Sequence, residues 1–141
     1  MNIKEQISAY ISNHPIQKRE DLEVLHQLIL QINPDAQLWF LDGKNEEGKT
    51  VSNPNIGYGV LKLHYKDGSS RDFYQLGIST NTTGISIYVI GINDKNYLSE
   101  NFAETIGKAS VTGYCIKFKK LKDISLEVLE KKIQFGFEPK S

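Results

Sequence analysis

Apolar positions alternate most densely along Gly84-Ile85-Ser86-Ile87-Tyr88-Val89-Ile90-Gly91-Ile92, with Ile85, Ile87 and Val89 on one side and Ser86, Tyr88 and Ile90 on the other. β-Branched and aromatic residues at this density suit a pleated surface, and apolar side chains on both faces predict the central strand of a sheet. Upstream the period changes. Ile3, Ile7, Tyr10 and Ile11 recur at i, i+4, i+7 and i+8 and predict a short helix, ended by Asn13-His14-Pro15. Leu22, Leu25, Ile29 and Ile32 form the stripe of a second helix closed by Asn33-Pro34. Glu20, Asp21 and Glu23 are expected in its first turns, where carboxylates favour the positive end of the helix dipole.

Residues 36–41, centred on Trp39 and Phe40, read as a strand, the polar stretch 42–55 as a long loop, and Gly57-Tyr58-Gly59 as a glycine-framed turn. Residues 60–65 and 72–78 predict a hairpin. Gly68-Ser69 as its two-residue turn pairs Leu61 with Leu76 and Leu63 with Tyr74, whereas an Asp67-Gly68 turn would set Leu63 against Asp72; the first register is preferred. Leu98, Phe102 and Ile106 mark a third helix stopped by Gly107, and residues 110–119 a last strand. Leu126, Leu129 and Ile133 give the inward stripe of a final helix, capped by Ser125 and stopped by Gly136. This order predicts one α+β domain: a largely antiparallel sheet of about five strands, two N-terminal helices, one helix before the last strand and a C-terminal helix.

Seventeen basic and seventeen acidic residues in 141 leave a formal charge of zero. That balance argues against nucleic acid or an anionic membrane as partner. The single cysteine, Cys115, cannot close an intramolecular disulfide, and no apolar run approaches the ~18 residues of a membrane span. With no apolar signal region behind the polar N-terminus, a cytoplasmic setting is expected.

His14-Pro15, Arg19 with Leu22 and Leu25, Asn33-Pro34-Asp35-Ala36, and Asn53-Pro54-Asn55-Ile56-Gly57-Tyr58-Gly59 form one set of recognisable blocks. Thr83-Gly84-Ile85-Ser86-Ile87-Tyr88, Gly107-Lys108-Ala109 and Gly113-Tyr114-Cys115-Ile116-Lys117-Phe118 form another. Together they resemble the DUF1801 (YdhG-like) family of small bacterial proteins over nearly the whole chain. Shorter members usually have a proline soon after the Tyr-Gly pair, where this chain has Gly59-Val60-Leu61. The resemblance implies a bacterial domain of unassigned activity and, through a label some members carry, a frataxin-like iron chaperone. Iron would need oxygen ligands, and Glu100 and Glu104, spaced i,i+4, are the candidate pair.

Gly43-Lys44-Asn45-Glu46-Glu47-Gly48-Lys49-Thr50 matches the phosphate-loop pattern, which works when a helix N-terminus follows and points its N–H groups at the phosphates. Val51-Ser52-Asn53-Pro54-Asn55 cannot begin such a helix, so a solvated loop is expected. His14, His26 and His64 lie on three different elements without metal-ligand spacing and read as structural or solvent-facing. Cys115, with neither a partner cysteine nor an adjacent cation in sequence, reads as a buried inert thiol. The remaining signal is aromatic. Trp39, Gly57, Tyr58, Gly59, Tyr88 and Tyr114 are the candidate ligand site, with Trp39 and Tyr58 foremost. The expected role is non-catalytic binding of a small molecule or protein partner, with no cofactor, or iron as the alternative. An enzyme of unknown class is the third reading, and oligomeric state is left open.

Overall fold

The computed structural model describes residues 2–82, 84–90, 96–102 and 105–137. The chain opens with α1 (Ile3–Ser12), whose N-cap Asn2 accepts the Glu5 N–H at 2.8 Å, and α2 (Ile16–Ile32). Ile7 and Ile11 of α1 and Leu22, Leu25 and Ile29 of α2 are buried, as their spacing predicts. α2 starts directly after Pro15, earlier than expected, so its first turn carries no carboxylate and Glu20, Asp21 and Glu23 sit further in. Proline has no N–H to leave unsatisfied and its φ is pre-set, which suits it to a helix start.

Eight strands, two further helices and a 3-10 turn follow. They are β1 (Leu38–Leu41), β2 (Asn55–Tyr58), β3 (Leu61–His64), β4 (Ser70–Phe73), β5 (Leu76–Thr80), β6 (Ile85–Val89), α3 (Tyr97–Phe102), β7 (Ala109–Val111) and β8 (Cys115–Phe118). The 3-10 turn (Leu121–Asp123) leads into α4 (Leu126–Phe137). Six strands form one antiparallel sheet in the order β1-β2-β5-β6-β8-β7, and β3 pairs only with β4. The α+β class and the inner position of β6 agree with the sequence. Gly91 and Ile92, the end of the predicted central strand, lie outside the described residues.

Four features of the sheet depart from expectation. Gly57-Tyr58 is no turn but part of β2, an inner strand that pairs with β1 and β5. The predicted 72–78 strand is two strands in different sheets. Its hairpin register is Leu61↔Phe73 and Leu63↔Arg71, around a turn in which the Tyr65 carbonyl accepts the Gly68 N–H at 3.0 Å and Gly68 takes φ +89°. Neither two-residue turn occurs, because an exposed ribbon has no buried face to enforce a register. Last, residues 110–119 form a hairpin, β7–β8, with Thr112 N–H bonded to the Cys115 carbonyl at 2.8 Å.

Register assigns the two sheet faces. Ile56, Tyr58, Leu76, Ile78, Ile85, Ile87, Val89, Ile116 and Phe118 share the face that joins the buried cluster of α1, α2 and α4. Gly57, Gly77, Ser79, Ser86, Tyr88 and Cys115 share the other. Tyr74 lies on Gly57 and Gly77: a Cβ added at either would come within 2.5 or 2.6 Å of its ring. The two glycines thus form a slot that admits the aromatic plane. Phe73 stacks on Tyr74 and meets Trp39 edge-on, so the β3–β4 ribbon covers this end of the second face.

In α4 the Ser125 cap holds, its Oγ accepting the Val128 N–H at 3.3 Å, and Leu129 and Ile133 are buried. Leu126, expected inward, is exposed, and Gly136 is not a stop. The helix runs on to Phe137, and Gly136 lets it close onto β5, where a Cβ would meet Leu76 Cδ1 at 2.8 Å. Lys132 is fully buried.

Candidate functional site

The turn after β5 organises one pole of the sheet. Asn81 N–H donates to the Gly84 carbonyl at 3.0 Å, and Gly84 N–H donates to Asn81 Oδ1 at 2.9 Å, closing the turn on itself. Gly84 sits against the backbone of Phe118 and Lys119, in space that a Cβ would need. The β5–β6 turn therefore rests directly on the end of β8. From α2, Lys18 Nζ donates to the Asn81 carbonyl at 2.8 Å.

Beside this turn is a hollow of about 390 Å³ lined by Asn81, Gly84, Lys108, Ser110, Lys117 and Lys119, with Ile85, Ala109 and Phe118 as its apolar wall. Among its described lining residues three are lysines and none is a carboxylate. Lys117 stands opposite Ser86 on β6 and Ser110 on β7, so the ladder fixes one ammonium and two hydroxyls on the same side. A second hollow of about 190 Å³ shares Gly84 and Lys119 and adds Lys18, Lys120, Gln17 and Thr82. Its carboxylate, Asp21, is engaged by the Leu121 N–H at 3.1 Å. Among the described lining residues, five lysines against one carboxylate make a local positive field in a chain of zero net charge. Clefts lined by one sign of charge concentrate counter-ions of the other.

A hydrogen-bonded chain lies next to this pole. His14 Nδ1 is 2.8 Å from the Tyr10 carbonyl, which can only accept, so that nitrogen carries a proton. In the neutral ring Nε2 then accepts from Thr80 Oγ1 at 2.8 Å, and the Tyr10 hydroxyl lies 2.9 Å from the same oxygen. The order of hydroxyl, imidazole and orienting carbonyl is that of an activated nucleophile. Thr80, however, is buried and its hydroxyl is engaged on both sides, so the chain pins the end of α1 to β5.

Register brings three of the six aromatic-site candidates, Trp39, Gly57 and Tyr88, into one row on the second sheet face, across Gly77, and leaves Tyr58 on the other face. Tyr58 is fully buried on the helix-covered face, its hydroxyl 2.6 Å from His26 Nδ1, and burial raises its pKa above the usual phenol value. Gly57 lies under Tyr74. Trp39 Nε1 donates to the Gly59 carbonyl at 2.8 Å, and Gly59 takes φ +82°. Tyr88 stands opposite Gly77, on which Tyr74 lies, and stacks on the exposed Tyr114 at 5.9 Å between centroids. Tyr58 is thus a core residue, while Trp39 and the half-buried Tyr88 flank the glycine slot that Tyr74 fills, with Tyr114 stacked outside Tyr88. Glu100 is exposed on α3, and Glu104 lies outside the described residues. Among the described residues no group of three or more His, Cys, Asp and Glu could hold a metal ion.

The phosphate-loop match is an exposed hairpin tip, bridged by Lys44 and Thr50 and followed by β2 rather than a helix. Cys115 is buried, which raises its pKa, while Lys132, Lys117 and a hydrogen bond from Ser86 oppose that rise. The lysine pole was missed in sequence, although a signal was there. From Lys108 to Lys122 the chain has five lysines and no Asp or Glu.

These features define an α+β domain with a six-stranded antiparallel sheet and a lysine-lined hollow at one end. No family model, curated protein or solved structure matches the chain. No helix among the described residues is long and apolar enough to cross a membrane.

Proposed function

We propose that this protein is a non-catalytic binding module for a small anionic ligand, held at the lysine-lined pole beside Gly84. The observation that carries the reading is the hollow whose described polar wall is Lys108, Lys117, Lys119, Ser110 and Asn81, with no carboxylate among those residues. Three ammonium groups gathered on one hollow repel one another when it is empty, and a bound anion relieves that repulsion. The site lies on strand ends held by sheet pairing, which keeps its charges in place without ordering a loop on binding. Membership of the DUF1801 family is proposed as well, on the residue blocks quoted above.

Titration calorimetry with phosphate, sulfate and citrate at low ionic strength tests this, repeated on Lys117→Ala and Lys119→Ala. Binding that weakens in both variants and falls with added salt is expected. Equal heats for the native chain and both variants would overturn the assignment.

A further inference from the structure

We infer that the ligand of this pole is a small molecule carrying two or more phosphates and no nucleobase that the protein reads. This deepens the anion-binding proposal and rests on it.

The chemistry of the lining favours phosphate over carboxylate. Every cation around both hollows is a lysine, and none is an arginine. The planar guanidinium fork matches carboxylates in bidentate fashion, whereas ammonium groups act as compact point charges with rotatable donors. Several point charges around one hollow suit a tetrahedral group whose oxygens point in different directions. Ser110 and Asn81 add neutral polar groups to that wall.

The wall also argues against base recognition. Its single aromatic residue, Phe118, is 4% exposed. A base needs an open aromatic face to stack on. Sequence-tolerant single-strand binding would need such faces repeated along a groove, and the described lining of these hollows holds one buried ring.

The number of phosphates follows from the two hollows. The larger has Lys108 and Lys117 to itself, the smaller has Lys18 and Lys120, and Lys119 with Gly84 lines both. Lys18 gives one of its three N–H donors to the Asn81 carbonyl, and Asp21 accepts the Leu121 N–H, so among the described residues the second hollow sets three ammonium groups against one carboxylate. A single orthophosphate engages one side of Lys119. A ligand with phosphates at both ends engages both.

The test compares orthophosphate, tripolyphosphate, adenosine triphosphate, citrate and a thymidine oligonucleotide by calorimetry at one salt concentration. It uses the native chain, Lys108→Ala and Lys120→Ala, with folding checked by circular dichroism. Tripolyphosphate is expected to bind at least about tenfold tighter than orthophosphate, no weaker than adenosine triphosphate, and tighter than citrate. Lys108→Ala should weaken orthophosphate and tripolyphosphate alike. Lys120→Ala should weaken tripolyphosphate selectively, leaving orthophosphate unchanged, an outcome that charge density alone does not produce. If orthophosphate binds but tripolyphosphate gains nothing, or Lys120→Ala affects both equally, the two-hollow inference fails while the anion site stands. If no anion binds, both fail. An oligonucleotide that binds tighter than tripolyphosphate overturns the inference in favour of a nucleic-acid surface.

Discussion

Lys132 Nζ lies 3.3 Å from the Ile87 carbonyl oxygen, inside the core and directly behind the central strand. Among the described residues this fully buried amine has a single hydrogen-bond acceptor and no carboxylate partner. Desolvation pulls its pKa from 10.5 down to about 7, opposed only by the Cys115 thiol. Between those values the unfolded chain holds a proton that the folded chain does not. Stability therefore rises with pH through that window and is flat below it, where both states are protonated. Chemical denaturation between pH 7 and 8, below the ordinary thiol range, should show a slope approaching one proton, about 1.4 kcal/mol per pH unit. Lys132→Met should be more stable at pH 6.5 by a few kcal/mol and should lose that slope. A variant less stable than the native chain at pH 6.5 would show that the ammonium is better solvated than this geometry implies.

His26 and Tyr58 make the second pH-linked contact. Burial raises the Tyr58 pKa, so its hydroxyl keeps its proton and shares a 2.6 Å hydrogen bond with His26 Nδ1; burial lowers the His26 pKa. The unfolded chain therefore takes up a proton at His26 first. Stability present above pH 6.5 is lost as pH falls towards the depressed folded value. Tyr58→Phe should cost about 1–2 kcal/mol at pH 7.5 by leaving the imidazole nitrogen unpaired, and His26→Gln should flatten the acid limb of the stability profile. An unchanged acid limb in the glutamine variant would assign the loss to other groups.

The glycine slot under Tyr74 predicts a coupled pair. Gly77→Ala should cost about 1–3 kcal/mol, since the new methyl group falls within the ring's contact distance. Tyr74→Ala should also destabilise, and the double variant should be more stable than the sum of the two losses allows. Urea denaturation of the four chains measures the coupling. Simple additivity would mean that the ribbon shifts without strain.

The iron-chaperone role implied by family resemblance is open to an anaerobic thermal melt with ferrous iron and other divalent metals. On the anion-binding reading, the expected outcome is no iron-specific shift. A site filled at 100 times its Kd would add about 2.7 kcal/mol, worth several degrees for a domain of this size. Such a shift would restore the chaperone reading and make Glu100→Gln and Glu104→Gln the next variants.

Much of the fold was legible because burial writes a local period into the chain. The stripes Ile7-Ile11, Leu22-Leu25-Ile29 and Leu129-Ile133 each face the core within a single helix, and Ile85-Ile87-Val89 alternates within a single strand. No distant information is needed to read such patterns. β2 was harder. Gly57 has no side chain to reveal its face, and its reason for being glycine is Tyr74, which the ribbon delivers from elsewhere. The β3–β4 register escaped for a related reason, since an exposed ribbon carries little hydrophobic preference.

Tertiary structure alone decided the site and the buried charge. The lysines at 108, 117, 119 and 120 were visible as a run, but a run of like charge is ordinarily a solvated face. What turns it into a hollow is the contact of Gly84 with the Phe118-Lys119 backbone and the arrival of Lys18 from α2. Tyr58 moved the other way, from candidate site to core, because register with Ile56 and Leu76 set its face. Lys132 lies one residue before Ile133 on α4, and composition alone assigns a lysine to solvent. Only the closing of α4 onto β5 through Gly136 removes it from water. Local periodicity thus determined which faces are buried. The packing of distant segments determined which polar groups went in with them and which charges were left together outside.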